Sequence, residues 1–239
     1  MSDVPWRADL ERRVRRLSVA SAVGLASGAV IGGIGGRLAM LLLRVTSDPV
    51  LLGVKTDDEF VIGRFSADTF FLIIFTAVIG ALAGAMYLVA RVWLPQRHRP
   101  LFTGVLAGLV GGAVIVKPHG VDFTRLEPHW LAIALFVLIP GLYGVAMSVV
   151  VERRLATAGG LQGRAAWLGL LFLLPLLIVG PLGLFVVLIF AGSLMLVRRV
   201  PSLAGAFRSS VGMALGRALL LAIAALSTVD LVRDAAAIL

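Results

Sequence analysis

Apolar residues in this chain come in unbroken runs, not at the spaced positions of an amphipathic helix or strand. From Leu17, twenty uncharged residues precede Arg37; Thr69–Ala90 adds twenty-two, Leu101–Val116 sixteen and Trp130–Val151 twenty-two. Thirty-three uncharged residues follow, Ala165–Val197, and the last run, Val211–Val229, is broken only by Arg217. About twenty residues of helix cross the roughly 30 Å hydrocarbon core of a bilayer, so the third run is marginal and the others suffice. Lipid offers no partner to backbone N–H and C=O groups, which restricts spanning segments to helices and closed barrels. Barrel strands alternate polar and apolar residues, and these runs do not. The predicted class is all-α, a polytopic transmembrane helical bundle with glycine-rich helix packing.

The thirty-three-residue run sets the number of spans. As one helix it would be about 50 Å long, well beyond the bilayer core. Gly180-Pro181 lies near its middle, after Pro175. Proline removes a backbone donor and clashes with the preceding turn, so a hairpin between helices near 161–179 and 182–197 is expected, giving seven spans. The alternative is one long, kinked helix and six. Charge separates the two through the excess of Lys and Arg in cytoplasmic loops. With seven spans and a cytoplasmic N-terminus, fifteen basic residues lie inside and seven outside; with six the division is twelve to ten. Seven is favoured, which puts the C-terminus outside the cytoplasm.

Composition agrees with lipid as solvent. The chain is 59% hydrophobic with 15% charged residues and a mean hydropathy of +1.01, against about 25% charged residues in soluble domains. The net charge of +9 does not point to nucleic acid, because the basic residues cluster between apolar runs where they orient the chain. Cysteine is absent, which excludes disulfides and thiolate metal sites. Residues 1–16 carry Arg7, Arg12, Arg13, Arg15 and Arg16 beside an apolar stripe of Trp6, Leu10, Val14 and Leu17. They are expected to form a basic cytoplasmic segment, either a short helix attracted to anionic headgroups or a flexible tail. Residues 17–239 form a single transmembrane domain with an outer loop over 45–69. Glu59–Phe65 within that loop is a candidate extended hairpin. The expected location is the cell (inner) membrane.

Glycine supplies the clearest periodicity. Gly24, Gly28, Gly32 and Gly36 recur every four residues in the first span. Gly80 and Gly84 mark the second, Gly104, Gly108 and Gly112 the third, and Gly212 and Gly216 the last. Such spacing puts missing side chains on one helix face and lets backbones approach closely. The faces are expected to pack the spans of one chain, with a homo-oligomer through the first span as the alternative. Pro140-Gly141 in the fourth span is a candidate kink.

Ionisable residues near span ends are functional candidates. Arg37 and Asp230 both fall near the outer boundary in the seven-span arrangement and form a candidate ion pair. The outer loop holding His119, Asp122, Glu127 and His129 offers weak candidates for a divalent metal or an acid–base set. Their spacing matches no standard metal motif, so neither a catalytic residue nor a cofactor is assigned.

The runs Gly32–Met40, Glu59–Phe65, Gly120–Phe123, Leu126–Trp130 and Val229–Asp234 resemble a recurring group of uncharacterised bacterial multi-pass membrane proteins. The resemblance implies a bacterial membrane protein and brings no activity and no site. The expected function is a membrane component that works by packing or partner binding. A transporter or channel component is the first alternative, and a membrane-surface enzyme using the outer His/Asp/Glu loop the second.

Overall fold

Because lipid cannot hydrogen-bond a backbone, each apolar run must close its own ladder, and the computed structural model shows helices where the described runs lie. It describes residues 5–47, 67–157 and 209–239. Helix α1 (Pro5–Ser27) passes through a seven-residue π-helical segment, Gly28–Ile34, into α2 (Gly35–Thr46). Next come α3 (Ala67–Ala90), a 3₁₀ turn (Gln96–His98), α4 (Arg99–Ile115), the short α5 (Val121–Thr124), α6 (His129–Ala156) and α7 (Ser210–Ile238). Among the described residues five helical stretches are long and apolar enough to cross a membrane: Glu11–Thr46, Thr69–Ala90, Gln96–Ile115, His129–Ala156 and Ser210–Ile238. The expected hairpin at Gly180-Pro181 and the extended segment Glu59–Phe65 lie outside the described residues.

The helix shows no break at residue 16, where a separate headgroup-level segment is expected to end. No glycine or proline stands between Pro5 and Gly24 to stop it, and the buried stripe of Val14, Leu17, Ser18 and Ser21 continues into the glycine face. The Glu11–Thr46 stretch has 36 residues, about 54 Å of helix against a core of about 30 Å.

Two antiparallel pairs stand out among the described helices, with α7 packed beside them. Along α1 and its π segment, Ala20 stands opposite Gly84, Gly24 opposite Gly80, Gly28 opposite Thr76 and Gly33 opposite Ile73. A Cβ on Gly24 would collide with the Gly80 carbonyl oxygen, and one on Gly80 with the Gly24 carbonyl. The ladder loosens toward its end, where a Cβ on Gly36 would meet only a Leu72 methyl at 4.0 Å. The second pair is α4 with α6. Gly104 and Gly108 face Gly141, and Gly144 lies against the Thr103 carbonyl and the Ala107 methyl. Pro140 sits inside α6 without ending it, and Gly111 makes room for its ring: a Cβ there would stand 2.6 Å from Pro140 Cβ and Cγ.

Tyr143 joins the pairs by donating its hydroxyl to the Gly80 carbonyl over 2.7 Å. Apolar packing joins them again at each end. Ala20, Tyr87, Met147 and Val151 form one cluster. Leu43, Val116, Phe123, Leu126, Ala132 and Phe136 form the other, with the Phe123 and Phe136 rings edge to face at 5.3 Å. Helix α7 runs parallel to α4. Its Gly216 meets the Trp93 indole just before α4 begins, and its Leu231 meets Gly112 near where α4 ends.

Gly24→Ala should lower stability by about 1–3 kcal/mol, because a methyl group forces two packed backbones apart. Gly35→Ala is the control, since its Cβ would meet only the Val30 carbonyl, at an ordinary 3.8 Å, and should change stability by less than about 0.5 kcal/mol. Thermal unfolding in one detergent checks both; equal losses would show that the crossing does not depend on the missing side chain.

Candidate functional site

Polar chemistry in a lipid-facing bundle collects where helices end, and here it collects on one carboxylate. Tyr87 lies one turn before the end of α3, and Arg91 follows in the turn that leaves it, where the Arg91 amide still bonds the Tyr87 carbonyl at 2.8 Å. Pro95 precedes the 3₁₀ turn, Arg99 opens α4, and Pro100 occupies a first-turn position where its missing N–H costs nothing. Glu152 sits one turn before the end of α6. Its Oε1 accepts from the Tyr87 hydroxyl at 2.8 Å. Its Oε2 accepts from Arg91 Nη2 at 2.8 Å and from Arg99 Nη1 at 3.3 Å. One carboxylate therefore holds the end of α3, the start of α4 and the end of α6.

The three charged side chains are screened but not sealed. Arg91, Arg99 and Glu152 retain 20%, 13% and 28% of their side-chain exposure. Two guanidinium groups share one carboxylate, so the cluster keeps a formal positive charge, and exposed Arg97, Arg153 and Arg154 extend it. Each Glu152 oxygen already accepts from a protein donor, which suits a clamp better than a base waiting for substrate. On the same end, the Arg217 Nε–H donates to the Trp93 carbonyl at 3.2 Å and brings α7 to the same turn.

The opposite end has its own ties. Lys117 Nζ donates to the Ala113 carbonyl at 2.6 Å and to Asp234 Oδ2 at 3.0 Å. The Ser47 hydroxyl lies between the carbonyls of Leu43, at 2.7 Å, and Glu127, at 2.8 Å. Asp234 is thus the acid of α7 that takes a cation. Asp230 stays exposed, and the structure does not bring it to Arg37.

The outer-loop residues do not converge either. His119 and Glu127 are exposed, and His129 is half-buried with its Nε2 enclosed and lacking a hydrogen-bond partner. Asp122 lies on α5. Among the described residues no three His, Asp or Glu side chains gather closely enough to hold a metal ion. Of the glycines, Gly24, Gly28, Gly32, Gly80, Gly84, Gly104, Gly108 and Gly112 lie at helix contacts within the chain. The first-span face that could serve an oligomer is thereby taken up by α3. Gly216 faces Trp93. Gly212 instead caps α7, its N–H donating to the Ser209 hydroxyl at 3.1 Å.

Glu152 escapes a reading that treats span-end arginines only as orientation signals. A signal is present, since Glu152 is the sole acid between Glu127 and Asp230. It precedes Arg153-Arg154 at the end that also receives Arg91, Arg97 and Arg99.

Glu152→Gln should destabilise the protein by about 1–3 kcal/mol, because a neutral amide leaves two half-buried guanidinium groups with a weaker acceptor. In a double-mutant cycle with Arg91→Met, thermal unfolding should give a coupling of about 1 kcal/mol or more. A coupling near zero would reduce the contact to a solvated surface pair. Comparison with known proteins finds no matching family, no matching curated protein and no matching solved structure, so function has to be argued from this geometry.

Proposed function

We propose that the chain is a seven-span bacterial inner-membrane component that works by packing and partner binding, with its N-terminus in the cytoplasm. The observation that carries the partner-binding reading is the surface of α7. This helix is held along one side by α4 and tied at its tips through Arg217 to Trp93 and Lys117 to Asp234. Most of its large apolar residues stay exposed, Leu219, Leu221, Leu226 and Val229 among them. An apolar helix with one long side uncovered offers a neighbouring transmembrane helix a surface for van der Waals packing.

Helix direction supports seven spans over six. Helix α6 ends where Glu152 meets Arg91 and Arg99, and α7 begins at the same end, where Arg217 meets Trp93. The end of α6 and the start of α7 thus lie on the same side of the bundle. The intervening sequence includes thirty-three uncharged residues, Ala165–Val197, a length and composition that favour two crossings over one. Among the described residues the end shared by α6 and α7 also carries most of the basic side chains, which favours it as the cytoplasmic one under the positive-inside rule.

A transporter is the second reading, favoured by the π-helical segment Gly28–Ile34 within the first span, because π turns often mark functional positions in helices.

A reporter fused after Leu239 should read extracytoplasmic; a cytoplasmic signal would overturn the seven-span arrangement. A photocrosslinker at Leu226 in native membranes should give a discrete protein adduct, absent when the same group is placed at the buried Ala20. Lipid adducts alone would end the partner reading. Ion- or solute-driven flux in liposomes, abolished by Glu152→Gln, would replace it with transport.

A further inference from the structure

Beside the close crossing of α1 with α3, the other flank of α1 stays open toward the end of α6. A groove of about 810 Å³ lies there. Val19, Val23, Ala26 and Val30 line it from α1 and its π segment, and Val150 and Arg154 from α6 with Thr157 just after it. The α1 residues recur at three and four positions, so they form one stripe along the helix. From Val19 to Ile31, the last α1-side lining residue, the stripe is about 18 Å long, close to the roughly 15 Å of a single leaflet's hydrocarbon.

The two walls agree in where they place charge. Arg154 lies on the stripe of Val150 and Thr157, is exposed, and has no acid partner among the described residues. On α1, Arg16 stands one turn before Val19 on the same stripe and is also exposed. Both guanidinium groups therefore stand at the arginine end, where Glu152 is already occupied by Arg91 and Arg99. An apolar channel about one leaflet long that is lined at this end by Arg154, with Arg16 one helical turn before Val19, matches a molecule with a hydrocarbon tail and an anionic head. Guanidinium is well suited to such a head because its donors match the oxygens of a phosphate in pairs.

We propose that this groove is a specific site for an anionic phospholipid, with one acyl chain along the α1 stripe and the phosphate on Arg154 and Arg16. The lipid is part of the assembled protein rather than of the surrounding solvent. It fills a surface that the described helices leave uncovered, and it neutralises two arginines that meet no acid among the described residues.

Native mass spectrometry of the detergent-purified full chain tests the site, with phosphatidylglycerol and phosphatidylcholine of identical acyl composition added after delipidation. One phosphatidylglycerol should be retained per chain, and phosphatidylcholine much more weakly. Arg154→Gln should weaken that retention about tenfold, the equivalent of one charge-assisted hydrogen bond, while Arg154→Lys should keep most of it. Val23→Trp, which fills the groove and leaves both arginines, should also abolish retention. Unfolding temperatures identify any variant that loses lipid only because it has lost its fold; Arg154→Gln, on an exposed position, should match the parent. Equal retention of the two lipids would overturn the site, as would phosphatidylglycerol binding that survives both Arg154→Gln and Val23→Trp. Because the chain has no cysteine, a disulfide forming in high yield between Val23→Cys and a single cysteine placed within 165–179 would also overturn it. That result would mean the chain's own apolar run fills the groove.

Discussion

The rest of the bundle depends on the contact of backbone with backbone where Gly24 and Gly28 cross Gly80 and Gly84. In lipid, helices gain little by hiding apolar side chains from one another, since acyl chains solvate leucine as well as a neighbouring helix does. What remains is dispersion at short range, and it falls off steeply once a gap opens. Removing side chains from one face is the direct way to shorten that range. The same device recurs between α4 and α6 at Gly104, Gly108, Gly141 and Gly144, so the described helices include two glycine-packed pairs set side by side.

Close crossing also shapes the polar interactions around it. With the backbones of α1 and α3 this near, the Gly80 carbonyl lies within reach of α6, and Tyr143 donates to it. A hydroxyl in hydrocarbon needs such a partner, and the bond ties one pair to the other at a modest net gain. Further charge is kept to the ends. Glu152 gathers Tyr87, Arg91 and Arg99 at one end, and Lys117 reaches Asp234 at the other. Each tie joins elements distant in sequence without taking an ion through the hydrocarbon centre.

Most of this order is legible in the chain, and the exceptions have physical causes. Run length and composition dictate helices in lipid, and spacing of four marks the glycine faces, because both properties belong to a single helix. Which face meets which helix is a property of two. Nothing in the spacing of Gly24 and Gly28 distinguishes α3 of the same chain from a second copy. Pairing Arg37 with Asp230 rests on depth alone, and depth does not give azimuth: Asp234, one turn further along α7, is the acid that points to a cation. Glu152 is hidden for the opposite reason. Its value depends on two arginines and a tyrosine from other elements, and counting charge by loop discards such relations. The helical continuity past residue 16 is legible in the lack of any glycine or proline between Pro5 and Gly24.

The arginines of this chain meet two demands at once. Orientation asks for cations at one end and is indifferent to their arrangement, whereas a clamp needs two of them within bonding distance of one acid. Arg91 and Arg99 satisfy both, since they bracket the turn between α3 and α4 and converge on α6. A single carboxylate is enough for this. A second acid there would offset the positive charge of that end, and no acid would leave two half-buried guanidinium groups repelling one another. With Glu152 occupied by Arg91 and Arg99, Arg16 and Arg154 meet no acid among the described residues. The counter-charge proposed for them is an anionic headgroup, which would complete at this end what the described side chains leave open.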